Sequence, residues 1–140
     1  MGYVEPNPRR LQAFLEAGGD AEPIVMINLL RYRERASYSE GFAAEPCSGR
    51  EAYQRYGAVA VQRIASVGGR MLWMGQVQTT VIGPDAEHWD DALLIEYPSR
   101  KTFLEMVSQP EYQAVVPHRT AALEDSRLIA TRTQANLLPG

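Results

Sequence analysis

The sequence predicts one α+β domain in the order β-α-β-β-α-β: a four-stranded antiparallel sheet with helices on one face. Three observations carry this. Four short apolar runs, at 23–33, 70–83, 92–97 and 126–133, are dense in branched and aromatic residues. The stretches after the first and third runs hold apolar residues three and four apart behind helix-start signals. The second and third runs are separated by a turn-rich segment at Gly83-Pro84-Asp85. The 140 residues suit a single domain. Its core is expected over about 23–133, an N-terminal helix within 1–20 and a loose tail over 134–140.

Each element has a local cause. Asn7-Pro8 offers an N-cap and a proline at the first helical position, and Gly18-Gly19 stops the added helix. PIVMINLLRYR, 23–33, is short, apolar and opened by Pro23, as a buried strand is. Residues 34–47 show no periodicity, and a loop of that length suggests a lid or contact arm. Ser48-Gly49-Arg50-Glu51 is a capping box. Tyr53, Tyr56, Gly57, Ala60, Ile64 and Val67 then mark one helix face, ended by Gly68-Gly69. RMLWMGQVQTTVIG, 70–83, predicts a long second strand, and ALLIEY, 92–97, the third. Pro98 ends that strand, Ser99 caps a helix to about Ser108, and Pro110 opens another, broken or kinked at Pro117. SRLIATRT, 126–133, is the fourth strand. This is the split-βαβ, ferredoxin-like pattern with an extra N-terminal helix. Its second sheet face is apolar and uncovered by the chain itself. A second copy is the expected cover, giving a homodimer packed sheet to sheet.

Bulk composition narrows the partners. The net charge of −3 gives no general attraction to nucleic acid or to anionic lipid. Cys47 is the single cysteine, which excludes an intramolecular disulfide and a cysteine zinc site. No apolar run reaches membrane-spanning length. MGYVEPNPRR lacks an apolar signal core, so a cytoplasmic protein is expected. EHWDD, 87–91, has no paired metal-ligand spacing, and no nucleophile-elbow, zincin, phosphate-loop or dinucleotide motif occurs.

The informative residues are polar ones inside apolar patterns. Alternation places Asn28 with Ile24, Met26 and Leu30 on one strand face, where a buried amide needs a protein, water or ligand partner. Glu96 shares a face of the third strand with Leu94. Arg119 falls on the helical stripe Tyr112, Val115, Val116, Ala122. The simplest expectation pairs Arg119 with Glu96 beneath the second helix, as a registry lock or as the polar end of a pocket. His118, one position off that stripe, is a boundary residue or a general acid/base. Trp73 is the candidate pocket wall. Arg31, Arg33 and Arg35 alternate at the end of the first strand, as a solvated end or an anion-binding rim.

GGRMLWMG (68–75), VIGP (81–84), WDDALLIEYPSR (89–100), PEYQ (110–113) and HRTAALEDSRLIA (118–130) together resemble the family called domain of unknown function 1330. MINLLRYR (26–33) and SGREAYQRYG (48–57) resemble a longer branch of it. The resemblance implies a ferredoxin-like fold forming a dimeric α/β barrel. It makes Gly69, Arg70, Glu96, Pro98, Ser99, Tyr112 and Arg119 characteristic positions. Met74 departs from it, standing where many members carry a second arginine. Other dimeric-barrel groups include cofactor-free oxygenases that use an asparagine and a tryptophan, to which Asn28 and Trp73 are similar in kind; this is analogy at the level of fold. The resulting expectation is a small-molecule-binding homodimer, or a cofactor-independent enzyme for a small organic or anionic substrate. Its pocket, lined by Asn28, Trp73, Glu96, His118 and Arg119, would be closed by loop 34–47. The alternative is a non-catalytic dimer in which those residues only lock helix to sheet.

Overall fold

The computed structural model describes residues 2–19 and 21–137. Its elements run α1 (Pro8–Glu16), β1 (Ile24–Tyr32), α2 (Gly49–Ser66), β2 (Arg70–Gln76), β3 (Asp91–Tyr97), α3 (Arg100–Val107), α4 (Pro110–Ala122) and β4 (Leu123–Thr131). The strands form one sheet in the order β2-β3-β1-β4, with every neighbouring pair antiparallel. Order and connectivity together make the fold ferredoxin-like. The last residues of the expected tail, 138–140, lie outside the described residues.

Local chemistry accounts for the element starts. The Asn7 side chain accepts from the Arg9 and Arg10 amides at the head of α1. Ser48 and Glu51 cap α2 reciprocally, and Ser99 and Thr102 do the same for α3. Gly68 takes φ +83° after α2, a conformation that favours glycine. Gly49 is required for another reason. A Cβ there would lie 2.1 Å from the Arg33 carbonyl oxygen and 2.7 Å from that of Ala122, where β1, α2 and α4 converge.

Three boundaries differ from expectation. β2 ends at Gln76 rather than at Gly83, because its partner β3 begins opposite it at Asp91. Beyond that point Val77 N–H still donates to the Asp90 carbonyl, but Gln78–Gly83 pairs with no strand among the described residues, and Val81 and Ile82 are 89% and 93% exposed. Pro117 does not break α4, which runs through it; the division of the second helical region falls at Ser108-Gln109 instead. β4 starts three residues early, at Leu123, directly after the last residue of α4.

The core lies between the sheet and the helices in two clusters. One gathers Ile24, Met26, Tyr56, Ile64, Ile95, Tyr97, Met106 and Tyr112. The other gathers Leu30, Cys47, Ala52, Leu93, Ala122 and Leu123. Tyr53 of α2 packs against both. On β1, Asn28 falls between Met26 of the first cluster and Leu30 of the second, so a polar seam separates two apolar halves.

Candidate functional site

The seam is built from the sheet upward. Asn28 is 7% exposed and is flanked across the strands by Leu93 and Leu128. Among the described residues no hydrogen bond reaches its side-chain amide. Met74, the departure from the family pattern, ends the same cross-strand row beyond Leu93. On the helix side, the Tyr56 and Tyr112 hydroxyls share a hydrogen bond of 2.8 Å. Burial pushes the Tyr53 phenol up to about 12, against the opposing charge of Arg119. Burial likewise raises Tyr56, with Tyr112 and Tyr53 adding to it. These phenols are therefore protonated donors at neutral pH.

Arg119 is half-buried on α4 and donates from Nη1 to the Val4 carbonyl at 2.7 Å. Among the described residues no ion pair includes it. The expected Arg119–Glu96 pair does not form. Glu96 pairs along the sheet with Val25 and Arg70, so it points to the face opposite the helices, where Arg70 Nε meets its Oε1 at 3.1 Å. The sheet itself stands between the two side chains.

Trp73 is on that outer face too. A register shift between Met71 and Trp73 sets it opposite Leu94, and its ring lies over Gly75. Trp73 and Glu96 therefore do not share a pocket with Asn28, Arg119 and His118. Trp73, Leu94, Ile27 and Ile129 instead form one apolar row across all four strands. Beside it, a concavity of about 280 Å³ is lined by Val25, Ile27, Leu72, Leu94 and Glu96 together with tail residues 135–137.

His118 borders the seam beneath the 34–47 loop. Its Nδ1 is 2.7 Å from the Tyr38 hydroxyl, and Arg55 Nη1 donates to that same oxygen at 3.2 Å. With Arg55 donating to it, the Tyr38 oxygen can give its own proton to His118 Nδ1, which places the remaining imidazole proton on Nε2. Burial first, then the charge of Arg55, holds His118 below its ordinary value. Burial raises Tyr38, although the Arg55 hydrogen bond opposes this. The Tyr38 and Phe42 rings stack at 5.6 Å, and the His118 ring meets both edge-on at 5.5 and 5.3 Å. The loop is pinned by Ala36 N–H to the Cys47 carbonyl, Ser37 N–H to the Ala121 carbonyl, and Arg55 to the Glu45 carbonyl. Tyr38, Phe42 and Arg55 were not singled out in the sequence, since an aperiodic loop carries no signal of what it covers.

A second polar cluster also went unread. Asp91, 2% exposed, accepts from the Tyr32 hydroxyl at 2.6 Å and from Arg50 Nη1 at 3.0 Å, while the Arg50 guanidinium lies 4.7 Å over the Tyr32 ring. Arg50 and Asp91 neutralise each other, so this cluster brings no net charge to the seam. Arg31, one of the three alternating arginines, is paired with Glu124 at 3.3 Å. Among the described residues, no group of three or more His, Cys, Asp or Glu side chains could hold a metal ion.

Residues 45–132 match the family model described as "Domain of unknown function (DUF1330)". The crystal structure of RPA0582, a protein of unknown function from Rhodopseudomonas palustris, is 38% identical and superposes with a TM-score of 0.87, covering 97% of this chain and 100% of that one. Hydroxynitrile lyase from Passiflora edulis is 13% identical at a TM-score of 0.54, covering 84% of this chain and 98% of its own. An uncharacterised NIPSNAP domain protein from Burkholderia xenovorans is 15% identical at 0.52, covering 84% and 99%. These last two likenesses are of fold. Comparison with curated proteins found no match.

Proposed function

The chain belongs to the domain of unknown function 1330 family, and from that premise and the geometry of the seam we propose a homodimer that binds a small organic molecule between sheet and helices. Asn28 and Arg119 orient the ligand in this reading, and His118 is its proton-transfer group. The observation that carries it is Asn28, a buried residue whose side-chain amide meets no hydrogen-bonding partner among the described residues and is not fully enclosed. A ligand carbonyl or hydroxyl would give that amide the partner the protein does not. His118 supports the proton-transfer part: its depressed value leaves a neutral imidazole near pH 7, and with Nδ1 accepting from Tyr38 the proton it can offer is the one on Nε2. No cofactor is part of the proposal.

The homodimer is supported by the outer row Trp73, Leu94, Ile27 and Ile129, whose end members are 48% and 47% exposed. A sheet-to-sheet contact of standard size, roughly 1,600 Å², would cover it. A cytoplasmic location belongs to the same proposal. A second reading, a non-catalytic dimer, is favoured by the tie between Arg119 and the Val4 carbonyl, which a purely structural residue could also make.

A thermal-shift screen against small acids, lactones, quinones and neutral carbonyl compounds separates the two. A ligand at a hundred times its Kd adds about 2.7 kcal/mol to stability. A shift lost in Asn28→Ala and His118→Ala, with both variants folded, supports the binding site. No shift across the panel supports the structural reading.

A further inference from the structure

The residues before α1 form a strap across the open edge of the seam. Tyr3 N–H donates to Asp125 Oδ1 at 2.9 Å, Ser126 Oγ donates to the Tyr3 carbonyl at 2.6 Å, and the Val4 side chain packs against the second core cluster. The strap ends its crossing with the Val4 carbonyl oxygen on Arg119 Nη1. A backbone carbonyl is a neutral acceptor. It satisfies one guanidinium hydrogen but leaves the charge unpaired.

We propose that the Val4 carbonyl occupies the place of an oxygen from a monocarboxylate ligand, and that strap 2–7 must lift from Arg119 before that ligand binds. This rests on the reading of the seam as a binding site and names its ligand class and its cover. The charge argues for an anion. Arg50 is paired with Asp91, and Arg55 is taken up by the Tyr38 hydroxyl and the Glu45 carbonyl beside His118, leaving Arg119 as the guanidinium that faces the strap. A carboxylate matches the guanidinium fork in two hydrogen bonds where the Val4 carbonyl makes one. Tyr3 is 71% exposed, and the strap's hold on β4 is the two hydrogen bonds above, a contact between the Tyr3 ring and Arg127, and the close seating of Gly2 on the Glu124 backbone.

The test uses the full chain, with acetate, pyruvate, benzoate and phenylacetate as probes and their amides and inorganic phosphate as controls. Binding to wild type is compared with a Tyr3→Gly/Val4→Gly variant, which loosens the strap and spares the seam residues. The expected result is carboxylate binding tighter by about tenfold or more in the loosened protein, as when the competent state holds about a tenth of the population. Arg119→Gln in the loosened background should abolish it. In wild type, the same carboxylates should speed exchange of the Tyr3 amide, which Asp125 holds, a readout that stands even where the loosened variant fails to fold. Equal carboxylate affinity with and without the strap, and no change in exchange, overturns the strap alone. Binding of amides but not acids overturns the carboxylate class. Binding of neither overturns the seam as a site.

Discussion

At the scale of residues, His118 and Asp91 make separate predictions. The folded value of His118 lies below its ordinary one, so between the two the unfolded chain binds more protons. Its contribution to stability is complete above about pH 6.5 and is lost as pH falls through the folded value. Melting temperatures measured from about pH 5 to about pH 8 should rise with pH in wild type and show a smaller slope in His118→Asn. Asp91→Ala removes the acceptor of both Tyr32 and Arg50 from a buried position, and chemical unfolding should show a loss of about 2–3 kcal/mol. The sequence could mark Asn28, Arg119 and His118 as polar residues in apolar company, and all three came to the helix side. It could not place Glu96 and Trp73. Alternation says which residues share a face of a strand, not which face the helices cover. Asp91 was unreadable for a related reason: its partners stand 59 and 41 residues away in the chain.

At the scale of elements, the caps and the glycine helix stops were legible because their physics is local, whereas the need for Gly49 comes from carbonyls of β1 and α4. Asn7, Ser48 and Ser99 each cap the helix that follows. Ser48→Ala should cost about 1 kcal/mol by denaturant titration. Gly49→Ala should cost more, about 1–3 kcal/mol, since both carbonyls facing its added Cβ are backbone and cannot swing away. Strand ends were less legible, because they depend on a partner elsewhere in the chain. Gln78–Gly83 has the branched residues of a strand, but β3 starts too late to pair with it. Pro117 shows the reverse case. The bond it denies to the Gln113 carbonyl is one loss within a helix that packs closely on α2, and packing prevails over propensity.

At the scale of the whole molecule, the sheet separates two kinds of surface, one built around the polar seam and the other crossed by an apolar row. If the second is a dimer contact, a charge in the middle of it should split the assembly. Light scattering coupled to size exclusion should find wild type at twice the chain mass and Ile129→Glu at the chain mass, with the far-ultraviolet spectrum unchanged. A wild-type monomer would remove the dimer from the proposal and leave the seam to be judged separately.

The junction between α4 and β4 has one more consequence. Ala122 ends the helix and Leu123 begins the strand, and a bulge at Glu124 follows at once, between the pairs Tyr32–Leu123 and Arg31–Asp125. Where a residue inserted around the exposed Val81 and Ile82 meets no buried neighbours, a further one inserted on top of that bulge meets Ala121 to Leu123. It would advance β4 by one step and exchange Leu128, now in the row of Asn28, with Ile129, now in the row of Trp73. The two sides of the protein are thus geared together at one peptide bond. Insertions near Gly83 should be tolerated, and a single added residue after Ala122 should not.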